Sequence, residues 1–260
     1  MGAAVNPVHV VGAGPGAADL LTLRAVELLR RADVVLYPGT YLDAAVLGHC
    51  RDGARLVDTA GLDIDAILGE VLAAHGRDER VVRLVSGDPS LYSALHEQSR
   101  RLDAAGVPWE VVPGVPAYAA AAARVGRELT VPLVAQSVVL TRTQARSTAM
   151  PDTERLESFA ATGATLVLHL AITRVRDLME RLLPTHGPDC PVVVVHRASQ
   201  PEEQVLRGTV ATIADPVEEA GLRQAAVVLV GWALAGAVDP GACVPGAGES
   251  WLYSADRPRT

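Results

Sequence analysis

The 260-residue chain is longer than one compact core needs, so two domains of about 100–150 residues each are expected. Its formal net charge of -7 excludes the basic footprint of a nonspecific nucleic-acid binder, although a local arginine cluster could still meet an acidic small molecule. Apolar residues make up 49% of the chain and aromatics 3%, so Ala, Val and Leu must fill the interior.

In chain order, short β-rich apolar runs alternate with helical patterns, which is the signature of an α/β protein. The runs lie at 8–11, 34–37, 80–85, 109–112, 137–141, 165–170, 192–196 and 225–230. After the first run, Thr22 is placed to cap a helix with Leu23, Val26 and Leu29 on one face and Arg24, Glu27 and Arg31 on the other. A second helix fits 91–105 and ends at Gly106. Pro113-Gly114-Val115-Pro116 then punctuates the chain before an Ala-rich helix at 117–125. The predicted domains are therefore 8–112 and 113–236, with 237–260 as a tail rich in Gly, Pro and Ala. The run at 192–195 is apolar on both faces, as in a strand covered on both sides.

No stretch approaches the roughly 18–20 apolar residues that span a bilayer, and the start lacks a basic region followed by an apolar signal. The expectation is a cytoplasmic protein with no membrane and no nucleic-acid partner. Cys50, Cys190 and Cys243 are odd in number and widely spaced, which predicts reduced thiols and no metal site.

Gly12-Ala13-Gly14-Pro15-Gly16-Ala17 follows a strand and precedes a helix, so it satisfies the dinucleotide-binding fingerprint with Ala in the last position. Two features argue against a nicotinamide or flavin oxidoreductase. The run at 34–37 leads into Pro38-Gly39-Thr40-Tyr41 with no carboxylate to hold a ribose, and Asp33 stands at the wrong end. Pro15 also removes a backbone donor where amides should face a pyrophosphate.

Further segments follow predicted strands, where open α/β sheets bind ligands. Ser86-Gly87-Asp88-Pro89 brings a glycine for close backbone approach and a carboxylate to the mouth of the sheet. Combined with Gly-x-Gly-Pro-Gly and Pro113-Gly114-Val115, it makes the sequence resemble the tetrapyrrole methylase family over about residues 8–236. The same pattern runs through 91–98, 128–132, Gln136, Leu140-Thr141-Arg142, Arg146 and Met150-Pro151. Arg197-Ala198-Ser199, Glu202-Glu203 and Arg207-Gly208-Thr209 continue it, and these second-half motifs resemble the corrin branch. Two departures stand out: Pro116 where a small polar residue is usual, and Leu170 where methionine is common.

The resemblance implies two α/β domains across a cleft, a homodimer, and methyl transfer from S-adenosyl-L-methionine to a ring carbon of a cobalamin-pathway tetrapyrrole. S-adenosyl-L-homocysteine would be the product. It implies a cofactor pocket from Pro15, Ser86, Gly87, Asp88, Leu91, Pro116, Ala117, Leu170 and Ala198. Asp88 is the candidate catalytic group: it could stabilise a sulfonium, orient a pyrrole nitrogen, or simply cap its turn. Substrate carboxylates call for arginines, with Arg142 and Arg146 first and Arg197 third. Tyr92 and Tyr41 could lie against the macrocycle or pack in the core, and Glu128-Leu129-Thr130 could shape the substrate side or end a helix. His169 and His196 read as packed histidines, and no general base is named. Another tetrapyrrole carbon, nicotinamide-dependent oxidoreduction and a non-catalytic binding module are the alternatives.

Overall fold

The computed structural model describes residues 6–40, 42–143, 149–242, 244, 246–254 and 257–258. Tyr41, Arg146 and Cys243 lie outside the described residues. The chain divides into two compact units, the first running to Ala120 and reclaiming Ser199–Pro201, the second formed by Ala121–Ala198 and the chain from Glu202. The division therefore falls inside the Ala-rich helix rather than at the Pro-Gly punctuation before it.

The first unit is built on β1 (Val8–Gly12), β2 (Val34–Tyr37), β3 (Arg55–Asp58), β4 (Val81–Val85) and β5 (Trp109–Val112). They form one parallel sheet in the order β3-β2-β4-β1-β5. Its helices are α1 (Leu23–Arg31), α2 (Ala44–Leu47), α3 (Ile64–Gly76), α4 (Leu95–Ala104) and the start of α5 (Ala117–Val125). Alternate strand residues face opposite ways. Val11, Val35, Val82 and Leu84 pack with Ala25 and Leu29 of α1, whereas Val8, Val34, Leu36 and Val81 pack with Leu68 and Val71 of α3 and Leu102 of α4. Both faces are covered, which is why β2 reads as a continuous apolar run and β4 as one broken only by Arg83.

Thr22 caps α1 as expected, accepting a hydrogen bond from the Ala25 amide at 3.1 Å. The buried face differs from the expected one: Ala25 and Leu29 are buried, but Leu23 is 86% exposed. The helix expected from residue 91 begins only at Leu95, because Tyr92 and Ala94 take left-handed conformations with φ of 53° and 56°.

The second unit holds β6 (Val138–Arg142), β7 (Thr165–His169), β8 (Pro191–His196), β9 (Gln204–Thr209) and β10 (Ala226–Val230), with α6 (Leu156–Ala160), α7 (Val175–His186), α8 (Ala214–Glu219) and α9 (Ala235–Val238). The sheet order is β6-β7-β10-β8-β9, and only β6 and β7 pair in parallel. Leu166, Leu168, Val192, Val194, Val228 and Val230 bury against Leu178 and Leu182 of α7 and Val217 of α8. The segment read as a tail is not structureless at its start, since α9 runs to Val238 and buries Ala237. Among the described residues no helix is long and apolar enough to cross a membrane, and no cluster of three or more His, Cys, Asp or Glu could hold a metal.

Candidate functional site

All strands of the first sheet point the same way, so their carboxyl ends share one edge, and the loops after β1, β4 and β5 meet there. The Ala13 amide donates to the Val85 carbonyl at 2.8 Å, and Gly14 and Gly87 exchange hydrogen bonds at 3.1 and 2.8 Å, which prolongs the contact of β1 with β4 beyond the ladder. Gly12, Gly87 and Gly114 touch backbone to backbone: a methyl group on Gly12 would stand 2.5 Å from the Gly114 amide nitrogen and 2.7 Å from the Gly87 carbonyl oxygen. Gly14 and Gly87 also need φ of 73° and 69°, which glycine adopts without penalty.

Asp88 locks this corner. Its Oδ2 accepts from the Gly114 amide at 2.8 Å, and its Oδ1 accepts from the Ser90 amide at 2.8 Å and from the Ser90 hydroxyl. Both oxygens are therefore engaged by the protein's own chain. Burial works to raise its pKa, but the bonds from the Ser90 hydroxyl, the Gly114 amide and the Ser90 amide prevail and hold it below the ordinary carboxylate value. Around it the structure gathers the residues expected to line a cofactor pocket in this half. Pro15 is buried, Ser86 is exposed, the Leu91 amide bonds the Asp88 carbonyl at 3.2 Å, and half-buried Pro116 and Ala117 flank Gly87.

Two further participants hold the glycine loop: Ser199, part of the Arg197-Ala198-Ser199 motif but not assigned to this loop from sequence, and Gln200, which no motif marked. The Gln200 Nε2 donates to the Pro15 carbonyl at 3.0 Å, and the Ser199 hydroxyl accepts from the Ala17 amide at 3.2 Å. Their separation from the glycine loop by more than 180 positions leaves no local signal. The Ser199 bond consumes an amide that a dinucleotide-binding turn would aim at phosphates, and the Gln200 bond ties the loop down through a carbonyl. Asp33, at the amino end of β2, is held by Arg80 at 2.9 Å and by Arg51 at 2.6 Å, away from this edge.

In the second unit, β7 and β8 both run antiparallel to β10 and β6 runs parallel to β7, so β6, β7 and β8 end at one edge. Arg142, Leu170, Arg197 and Ala198 stand there. Arg142 and Arg197 are three strand spacings apart, about 14 Å at about 4.8 Å per strand. Leu170 is 56% exposed at φ 53°, and Arg197 sits at φ 47° with its Nη1 on Glu202 Oε2 at 3.1 Å. Left-handed backbone at a large side chain is strained and concentrates at functional edges. Tyr92, in the first unit, is likewise left-handed and 47% exposed, so it is not a core residue.

Beside Arg142 opens a cavity of about 400 Å³, lined in part by Arg155, Arg174 and Arg181. These cations are matched by acids: Arg174 bonds Asp177 at 2.6 Å and Arg181 bonds Glu157 at 2.8 Å. The Arg181 bond, with backbone and Coulombic help, holds Glu157 at about 2. Burial lowers the pKa of His169, and burial together with Arg197 lowers that of His196, so both rings are neutral at pH 7.

A sequence profile of the Tetrapyrrole (Corrin/Porphyrin) Methylases matches residues 7–214. The chain belongs to the tetrapyrrole methylase family. It is 51% identical to the precorrin-4 C(11)-methyltransferase of Rhodococcus erythropolis, over 97% of this chain and 98% of that protein. Among solved structures, a cobalt precorrin-4 methyltransferase of cobalamin biosynthesis is 38% identical and superposes with a TM-score of 0.84, covering 88% of this chain and 95% of that one. The uroporphyrin-III C-methyl transferase of Thermus thermophilus, complexed with S-adenyl homocysteine, is 31% identical with a TM-score of 0.72 over 88% and 93% of the two chains.

Gly114→Ala is expected to destabilise the first unit by about 1–3 kcal/mol, because backbone faces the added methyl group on two sides. Urea unfolding measures it, and an unchanged midpoint would contradict the close contact. For Asp88, whose pKa is depressed by folding, the stabilisation is complete above its unfolded value and disappears as pH falls through the lower folded value. The stability gap between the wild type and D88N should therefore be widest near neutrality and close in acid, and a gap independent of pH would refute the assignment.

Proposed function

We propose that the chain is an S-adenosyl-L-methionine-dependent methyltransferase that methylates carbon 11 of metal-free precorrin-4 in cobalamin biosynthesis and releases S-adenosyl-L-homocysteine. The observation that carries this reading is the 51% identity, over nearly the whole of both chains, to a protein named for that reaction. The metal-free substrate is favoured over its cobalt form because the cobalt-precorrin protein is only 38% identical.

The glycine corner suits such a co-substrate. It offers backbone donors and acceptors, an exposed Ser86 hydroxyl and the apolar walls of Pro116 and Ala117, with no side chain placed for acid–base work. When bound, S-adenosyl-L-methionine supplies an electrophilic methyl group, and in-line displacement at it asks the protein for alignment and exclusion of water. Asp88 acts here by holding the Ser86-Gly87 loop against Gly114, with its charge already satisfied. Leu170 supplies exposed apolar surface, Ala198 is buried at the same edge, and Tyr92 offers a ring to a flat macrocycle. Arg142 and Arg197 bind substrate carboxylates, and Arg146, outside the described residues, joins them in this reading. We also propose a cytoplasmic homodimer, which a sedimentation run showing only monomer would overturn.

Calorimetric titration with S-adenosyl-L-homocysteine should show about one site per chain, with no binding of a nicotinamide cofactor. The reverse preference would reopen the dinucleotide reading. With precorrin-4 as acceptor, Arg142→Ala should raise KM about tenfold or more with little change in kcat, as loss of a charge-assisted contact does. A fall in kcat alone would remove Arg142 from substrate binding.

A further inference from the structure

Among the described residues Arg83 is the only charged side chain in the buried core, 8% exposed in the middle of β4. It points to the α3 and α4 face, on the same side of the strand as Val81. Its Nη1 donates to the Leu84 carbonyl at 2.7 Å and to the Thr59 hydroxyl at 3.2 Å, and its Nε is buried without a partner. Among the described residues no carboxylate is paired with it, and burial lowers its pKa to about 10, so it remains charged at neutral pH. A buried cation without a counterion is costly, and a hydrophobic residue would fill this position more cheaply.

The ladder explains what the guanidinium does. The Val34 amide of β2 donates to the Arg80 carbonyl at 3.2 Å. In a parallel pair such bonds recur every second residue, so residue 36 serves carbonyl 82 and residue 38 would serve carbonyl 84. Residue 38 is Pro38, which has no N–H, and the pairing of β2 with β4 ends at Leu36 and Arg83. The Leu84 carbonyl is thus left without its backbone donor, one residue before the end of β4 and just ahead of Ser86-Gly87-Asp88.

We propose that Arg83 is a positioning residue that supplies, from its side chain, the hydrogen bond Pro38 cannot give to the Leu84 carbonyl, and so fixes where β4 turns into the Ser86-Gly87-Asp88 loop. Thr59 extends the link. Its hydroxyl accepts from Arg83 and donates to the Tyr37 carbonyl at 3.0 Å, so one guanidinium ties together the ends of β2, β3 and β4. Pro38 meanwhile turns β2 away from β4, and the Gly39 amide is caught by Asp58 Oδ1 at 3.1 Å. The arrangement ends the strand pairing early without leaving a buried carbonyl unsatisfied. Its effect on the cofactor loop rests on the methyltransferase reading, whereas its effect on the strand end does not.

The test compares wild type, R83M, P38A and the double variant P38A/R83M by amide hydrogen exchange at Ser86 and Gly87 and by calorimetric titration with S-adenosyl-L-homocysteine. R83M should speed exchange at these amides and weaken binding, each by about tenfold, the usual scale for one charged hydrogen bond. P38A alone should change little. In the double variant the amide of residue 38 reoccupies the Leu84 carbonyl and should recover most of both losses, which a general packing defect would not do. Additive losses in the double variant, or unchanged exchange in R83M, would overturn the proposal. Should R83M fail to fold, recovery of folding by P38A supports it, and a double variant that also fails overturns it. If the wild type binds no S-adenosyl-L-homocysteine, the methyltransferase reading falls, while hydrogen exchange still decides the role of Arg83.

Discussion

The contact on which the first unit's active edge depends is made without side chains. Gly12, Gly87 and Gly114 bring the ends of β1, β4 and β5 so close that any Cβ at Gly12 or Gly114 would collide with backbone. Parallel strands end together, and their loops must either splay apart or lock. Here they lock, through the paired bonds of Gly14 with Gly87 and the Asp88 carboxylate on the Gly114 amide. The result is a surface of fixed peptide groups. Such a surface suits a reaction that needs alignment at a methyl group and no covalent nucleophile.

The same constraint separates this loop from the dinucleotide fingerprint that it matches in sequence. In that fingerprint the glycines clear a path for a pyrophosphate and the following amides face it. In this chain Pro15 contributes no amide, its carbonyl is taken by Gln200, the Ala17 amide is taken by Ser199, and Gly14 is turned onto Gly87. Identical glycine spacing therefore serves packing between loops, and the difference lies in where the neighbouring amides are spent. The absent ribose-binding acid after β2 and the missing amide of Pro15 were the parts of this distinction that a linear reading could reach.

Eight of the ten strands were legible because each carries a short apolar, β-rich run, which in the central strands burial on both faces demands. The two that were missed, β3 and β9, lie at sheet edges as β5 and β6 do, but each carries only two apolar side chains, Leu56 and Val57 in one and Val205 and Leu206 in the other. In β3 the pattern Arg55-Leu56-Val57-Asp58 leaves even Leu56 44% exposed, and Arg55 pairs with Glu70 at 2.7 Å. The antiparallel pairing of β10 in the second sheet was equally hidden, since strand direction is set by connections and leaves no mark on a doubly buried run. At the site, glycines, Asp88 and prolines announced themselves by residue type. The contacts of Ser199 and Gln200 with the glycine loop and the compensation of Pro38 by Arg83 depend on partners brought together only by folding, and residue type alone carries no record of those contacts.

A second kind of constraint operates at the edge of the other sheet. There, strain takes the place of glycine: Leu170 after β7 and Arg197 after β8 hold left-handed backbone that glycine would adopt freely. Each such residue costs on the order of 1 kcal/mol or more and persists only where its surroundings impose it. The surroundings are visible, with the Leu170 carbonyl accepting from the Thr143 hydroxyl at 3.2 Å and the Arg197 amide donating to the Ala225 carbonyl at 2.8 Å. Glycine would relieve the strain but would remove an exposed apolar side chain in one case and a guanidinium in the other. The first unit thus offers backbone at its edge, whereas the second offers side chains.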